Sequence, residues 1–301
     1  MVSAVNPSAT GEGSVVGEDA GAGRTRVAAG LSRAELFAGL CVLGFANGIA
    51  RRMYDVVVSD GTAAAFAGAF GISAVVWVAF VVCPALLLRV PREPLTRTDP
   101  IVAACALGAF ALPLGSASWI ALTGLALYLL RDAVTPRGRP PSPVHRGAWV
   151  LLAITGAMFW GRLLLSSASG PVLGADALLV GWLAGTETVG NTVRFADGAG
   201  YVWIAPGCSS LANISLAILC WVLFAQSRGF GWSLQGFGWC LLACLCVVVI
   251  NVTRIGLMVL HREHFDLIHG PTGIAVASWL SVATVLGVCL YGTRRGRLAH
   301  A

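Results

Sequence analysis

Three runs of this chain, Thr62–Leu88, Trp149–Leu165 and Val276–Tyr291, hold a single charged residue between them, Arg162. Each run reaches or approaches the roughly 20 residues with which an α-helix crosses the hydrocarbon of a bilayer. No other feature constrains the fold as much. Hydrocarbon offers the backbone no hydrogen bonds, so every amide in such a run must pair within a helix or a closed barrel. The period-2 alternation of a barrel strand is missing. With 57% hydrophobic and only 11% charged residues, the chain is also too apolar for an ordinary water-soluble domain. The expected fold is an all-α polytopic membrane protein surrounded by lipid bilayer.

All 20 basic residues are arginine, and the net charge of +6 reflects how few acids there are rather than a basic cluster. Nucleic acid is therefore not an expected partner. Of the nine cysteines, Cys41, Cys83, Cys105, Cys220, Cys240, Cys244, Cys246 and Cys289 lie inside apolar runs, where a thiol behaves as a small hydrophobe. Only Cys208 stands at a polar boundary.

Apolar segments at about 34–50, 62–88, 101–113, 117–130, 148–167, 209–226, 237–260 and 274–292 give about eight candidate spans. Pro113-Leu114-Gly115 divides the 101–130 stretch, which reads as a short hairpin. Positive residues in short loops mark the cytoplasmic side. Eight spans with both termini inside place 14 of the 20 arginines there, which favours this topology for a multi-pass plasma-membrane protein. Residues 1–32, polar and without a continuous apolar core, are expected to be a disordered cytoplasmic tail that stays on the protein. Residues 33–147 form the N-terminal spans and a proline-rich cytoplasmic linker, Arg131–Arg146. Residues 148–293 form a second membrane region, and 294–301 a basic cytoplasmic tail. Within 148–293 the long loop 169–207 faces outward and makes a small extracytoplasmic subdomain. Ala175–Leu183 is expected as an amphipathic surface helix and Thr192–Ile204, with Asp197-Gly198 at its centre, as a hairpin.

Given that topology, three reactive side chains meet on one membrane face. Pro206-Gly207-Cys208-Ser209-Ser210 opens the sixth span at its outer end, and a helix N-terminus favours a thiolate. Arg254 lies in the outer third of the seventh span, roughly 10 Å below the helix end at 1.5 Å per residue. An ionisable group at such depth is costly, although a snorkelling side chain is the plainer alternative. His269 leads into the eighth span from outside. Together they offer a nucleophile, a fixed cation for a developing oxyanion and a proton shuttle near neutral pH.

Cys208-Ser209-Ser210-Leu211, Asn251-x-x-Arg254-Ile255 and His269-x-x-x-Gly273, in this order, resemble the Cys, Arg and His motifs of the exosortase/archaeosortase family. The resemblance covers roughly residues 148–292. It implies a membrane cysteine protease or transpeptidase that cleaves a C-terminal sorting signal on the outer face and transfers the protein to a surface acceptor. The implied partners are secreted proteins ending in a short motif, a transmembrane helix and a basic cluster, with a surface lipid or glycan as acceptor. In that scheme Cys208 forms the thioester, Arg254 steadies the oxyanion and His269 moves the proton. Ser210 departs from the family, which usually carries glycine there, and so bears on how closely substrate approaches.

Other residues admit more than one reading. Asn251 shares a helix face with Arg254 and either orients the guanidinium, binds substrate backbone or makes an interhelical hydrogen bond. Arg162 either binds a substrate carboxylate or snorkels to lipid phosphate. His261, His264, His269, Glu263 and Asp266 match no helical zinc spacing and read as a solvated loop, so neither metal nor cofactor is expected. Gly44-x-x-x-Gly48 permits close packing of the first span. The rival functions are a transporter or flippase, weakened by the lack of a mid-membrane acid among Glu35, Asp132, Asp176 and Glu187, and a catalytically silent assembly protein.

Overall fold

A computed structural model describes residues 30–131, 141–231 and 233–298. Among these, five helices are long and apolar enough to cross a membrane: Arg33–Asp60, Pro143–Ser167, Ser210–Ser227, Leu234–Leu260 and Pro271–Arg294. The chain is a helical membrane protein. All eight apolar segments of the sequence carry helix. Residues 1–29 of the tail expected for residues 1–32, most of the proline-rich linker and the last residues of the basic tail lie outside the described residues.

Helix α1 (Arg33–Asp60) begins at a capping box, in which Ser32 Oγ accepts from the Glu35 N–H at 3.3 Å and the Glu35 carboxylate accepts from the Ser32 N–H at 2.9 Å. Beside this cap Asp99, fully buried, accepts from Arg33 Nε at 3.1 Å, Tyr128 Oη at 2.8 Å and the Thr96 N–H at 2.7 Å. A buried carboxylate is tolerable only when it is satisfied in this way. The hub joins α1 to α4 (Asp99–Ala111) and α5 (Gly115–Arg131), which form the expected helical hairpin around Pro113. The first glycine pair does pack closely, since a Cβ on Gly44 would stand 2.5 Å from Phe110 and one on Gly48 2.8 Å from Trp119.

The expected single span over 62–88 is broken in two. Helix α2 (Thr62–Ala67) ends at a left-handed turn in which Ala69, Phe70 and Gly71 have φ of 49°, 56° and 62°, and α3 (Ala74–Leu87) follows. The turn is held from outside: Trp77 Nε1 donates to Ala69 O at 3.3 Å, and Arg52 Nη2 donates to Gly71 O. Helix α6 (Pro143–Thr155) continues through a π turn, Gly156–Trp160, into α7 (Gly161–Ser167). The core of this half centres on Phe45, stacked on Phe80 at 4.2 Å and edge-on to Trp77 and Trp119 at 5.9 and 5.7 Å.

In the C-terminal half, α8 (Ser169–Ala184) leads into a three-stranded antiparallel sheet of β1 (Thr188–Val189), β2 (Thr192–Arg194) and β3 (Tyr201–Trp203), ordered β1-β2-β3. Helices α9 (Ser210–Ser227), α10 (Leu234–Leu260), α11 (Phe265–His269) and α12 (Pro271–Leu298) follow. Helix α10 packs against α8, α9 and α12. The helix expected at 175–183 exists but is not amphipathic. Its buried face carries Leu173, Ala177 and Val180, and its open face carries Leu178, Leu179, Trp182 and Leu183, with Trp182 84% exposed. An apolar face of that kind suits lipid rather than water.

Candidate active site

The turn holding Cys208 is built by its neighbours. Strand β3 ends where Ile204 and Asn191 exchange hydrogen bonds, Ile204 N–H to Asn191 O at 2.9 Å and Asn191 Nδ2 to Ile204 O at 3.2 Å. Pro206–Cys208 then forms one turn of 3-10 helix, and Ser209 caps α9 by accepting from the Leu211 N–H at 3.2 Å. Cys208 thus lies one residue before the cap. Its side chain is half-buried against an apolar cluster that includes Leu173, Val202 and Val252.

Two buried polar groups fix this turn from either side. Asp176 of α8, 5% exposed, accepts from the Ser210 N–H at 3.0 Å. A carboxylate at a helix N-terminus both pairs an orphan amide and complements the helix dipole. From α10, Asn251 Nδ2 donates to Cys208 O at 2.7 Å and lies 3.1 Å from Ser210 Oγ. Of the three readings of Asn251, the interhelical bond is the observed one; among the described residues no hydrogen bond joins its amide to the Arg254 guanidinium. Ser209 and Ser210 are 1% and 3% exposed, and their hydroxyl oxygens accept from the Leu211 N–H and from Asn251 Nδ2. The Ser210 hydroxyl gives Asn251 a second acceptor. Asp176 was not singled out from the sequence as part of this group. Its only signal there was that an acid is rare in an apolar helix.

One turn further along α10, the half-buried Arg254 donates through Nε to Ile268 O at 3.3 Å and through Nη2 to His269 O at 3.4 Å. These are the last carbonyls of α11, where the helix dipole welcomes a cation. No carboxylate pairs with Arg254 among the described residues. His269 is exposed, its ring stacked on Phe265 at 5.2 Å, and Phe265 meets Phe195 edge-on at 6.1 Å. Gly273 is required by packing: a Cβ there would stand 2.0 Å from Ile268 O, the carbonyl that Arg254 holds.

The sheet closes over the same end of α10. The Ala196 N–H donates to Val259 O at 3.1 Å, and Arg262 lies 3.5 Å from Asp197 and 5.3 Å from the Phe195 ring centroid. The expected hairpin turns at Asp197-Gly198, with Asp197 Oδ1 accepting from the Ala199 N–H at 2.8 Å and Gly198 at φ 75°. On the neighbouring turn His261 and His264 both contact Glu263, at 3.4 and 3.3 Å. A backbone amide first, then His264 and His261, hold the exposed Glu263 carboxyl below its ordinary range.

The fold therefore draws Cys208, Asn251, Arg254, His269 and Gly273 to one end of α10, the cysteine through Asn251 and the histidine segment through Arg254. No hydrogen bond joins Cys208 directly to Arg254 or His269 among the described residues. Arg162 does not join them; it lines a separate cavity with Arg52. No protein-family model, curated protein or solved structure matches the chain.

Proposed function

We propose that the protein is a membrane-embedded cysteine protease or transpeptidase of the exosortase/archaeosortase kind. In this reading it has eight spans, cytoplasmic termini and its site on the extracytoplasmic face of the plasma membrane. The observation that supports it is the pair of ties on one helix: Asn251 to Cys208 O and, one turn on, Arg254 to the Ile268 and His269 carbonyls. Chance placement of three motif residues does not require neighbouring turns of α10 to hold the other two segments.

In the reaction the Cys208 thiolate attacks the scissile carbonyl of a membrane-tethered polypeptide. Charge developing on the carbonyl oxygen is met by the Arg254 guanidinium, whose two present bonds are long for contacts of a cation and therefore exchange readily. The C–N bond breaks as the leaving amine takes a proton from His269, and a thioester remains on Cys208. A lipid or glycan nucleophile, deprotonated by His269, attacks the thioester, the C–S bond breaks, and the Cys208 thiolate and protonated His269 are restored; water in its place gives hydrolysis.

The test is co-expression with a secreted protein ending in a short motif, an apolar helix and an arginine cluster. Processing that disappears in Cys208→Ala, together with a hydroxylamine-sensitive adduct on Cys208 in the wild type, is the expected result. Normal processing without Cys208 removes the reading.

A further inference from the structure

Away from Cys208, three irregular features meet around one cavity of about 170 Å3. The first is the left-handed turn at Ala69–Gly71, where two residues with side chains occupy a conformation that normally belongs to glycine. The second is the π turn Gly156–Trp160, a distortion concentrated at functional sites. The third is a pair of cations, Arg52 on α1 and Arg162 on α7, whose charges are close enough to repel. Both line the cavity together with Gly71, Gly161, Ala212 and Ser215. Arg52 is half-buried and donates to Gly71 O; Arg162 has no hydrogen bond or ion pair among the described residues. No acid lines the cavity.

Arg52 is half-buried and Arg162 exposed, and two guanidinium groups that share the lining of one cavity with no carboxylate beside them offer a paired cationic site to an anion. We propose that this cavity binds the phosphate headgroup of a membrane lipid. The planar fork of arginine suits phosphate oxygens. The cavity is smaller than the roughly 300–1,000 Å3 that a whole drug-sized ligand needs, so it takes a headgroup and leaves acyl chains outside. Leu165 and Leu216, half-buried in its lining, give those chains apolar side chains to rest on. Ser215 lies five residues into α9, about 7.5 Å along the axis at 1.5 Å per residue, so the site sits near the Cys208 end of that helix. It does not depend on the chemistry assigned to Cys208, and its test reads binding alone.

The full-length protein is reconstituted in phosphatidylcholine nanodiscs doped with phosphatidylglycerol, diacylglycerol or a fatty acid, and retained lipid is counted by native mass spectrometry. Wild type is expected to retain phosphatidylglycerol selectively, and Arg162→Gln or Arg52→Gln to lower that retention about tenfold, the loss of one charge-assisted contact. Arg162→Lys is expected to recover only part. If Arg52→Gln fails to fold because it releases Gly71, Arg162→Gln decides, since that side chain supports nothing else. Equal retention of diacylglycerol or fatty acid, unchanged retention in Arg162→Gln, or displacement of phosphatidylglycerol by equimolar inorganic phosphate each overturns the assignment.

Discussion

Asn251 on α10 ties down the turn that carries Cys208, with its Nδ2 2.7 Å from the Cys208 carbonyl oxygen. The bond spans two helices and is 6% exposed at the asparagine. In Asn251→Ala the Cys208 carbonyl and the Ser210 hydroxyl both lose a donor, at a cost of about 1–3 kcal/mol. We expect a lower melting temperature in detergent and faster alkylation of Cys208, followed by peptide mass spectrometry. An unchanged alkylation rate would mean that the turn is held by Asp176 and the cap alone.

Removing the Asp176 carboxylate tests the other side of the same turn. Asp176→Asn retains an acceptor for the Ser210 N–H and is expected to keep most of the stability, whereas Asp176→Ala leaves a buried amide unpaired and costs about 1–3 kcal/mol. Thermal unfolding of the two variants in parallel separates the hydrogen bond from the charge.

Among the thiols, Cys208→Ala is expected to abolish processing of a co-expressed substrate, while Cys220→Ala and Cys244→Ala leave it intact. Cys220 is buried between α9, α10 and α12, and Cys244 packs against the same apolar cluster, away from the Cys208 turn. An immunoblot of precursor and product reads all three.

For Arg254, lysine keeps the charge but cannot span the two carbonyls that the guanidinium fork now holds. Arg254→Ala is expected to slow turnover by roughly 100- to 1000-fold if the group stabilises an oxyanion, with Arg254→Lys recovering part. Single-turnover measurements separate this from a loss of protein. Full activity in Arg254→Ala would leave the arginine as a brace for α11 only.

The brace itself is tested at Gly273. A methyl group there collides with the Ile268 carbonyl, 2.0 Å away, so Gly273→Ala must shift α11 or the start of α12 at a cost of about 1–3 kcal/mol. We expect Gly273→Ala to impair processing and lower the melting temperature together. A variant with wild-type stability and activity would show that the segment moves freely.

Much of this was legible in the sequence, because lipid imposes a simple rule on helices and glycine marks close approach. Each of the eight apolar segments carries helix, the Gly44 and Gly48 contacts are where close packing was expected, and Asp197-Gly198 turns a hairpin. The break at 69–71 was not readable, since Ala69 and Phe70 belong to a helix-compatible apolar run and their φ values are imposed by Arg52 and Trp77 from elsewhere. The π turn leaves composition unchanged and so leaves no trace in the pattern. The Gly190-Asn191 turn joining β1 to β2 was available as a two-residue hairpin signal between short β-prone stretches, but strands of two and three residues give little alternation to support it. At the site, residue types located Cys208, Arg254 and His269. Which groups touch is not readable: Asn251 admits three readings, and nothing in the sequence separates Asp176, which holds the Ser210 N–H, from the other loop acids.

The Asn251 tie also sets an order of events during synthesis. Cys208 and its partner are 43 residues apart, and at a translation rate of about 5–20 residues per second the turn waits roughly 2–9 s before α10 has been made far enough to grip it. Through that interval the Asp176 bond is the only one of the two that the nascent chain can form. Every chain that stalls or is cut before residue 251 carries the thiol without its clamp, so the geometry around Cys208 becomes a property of the finished protein and not of its fragments.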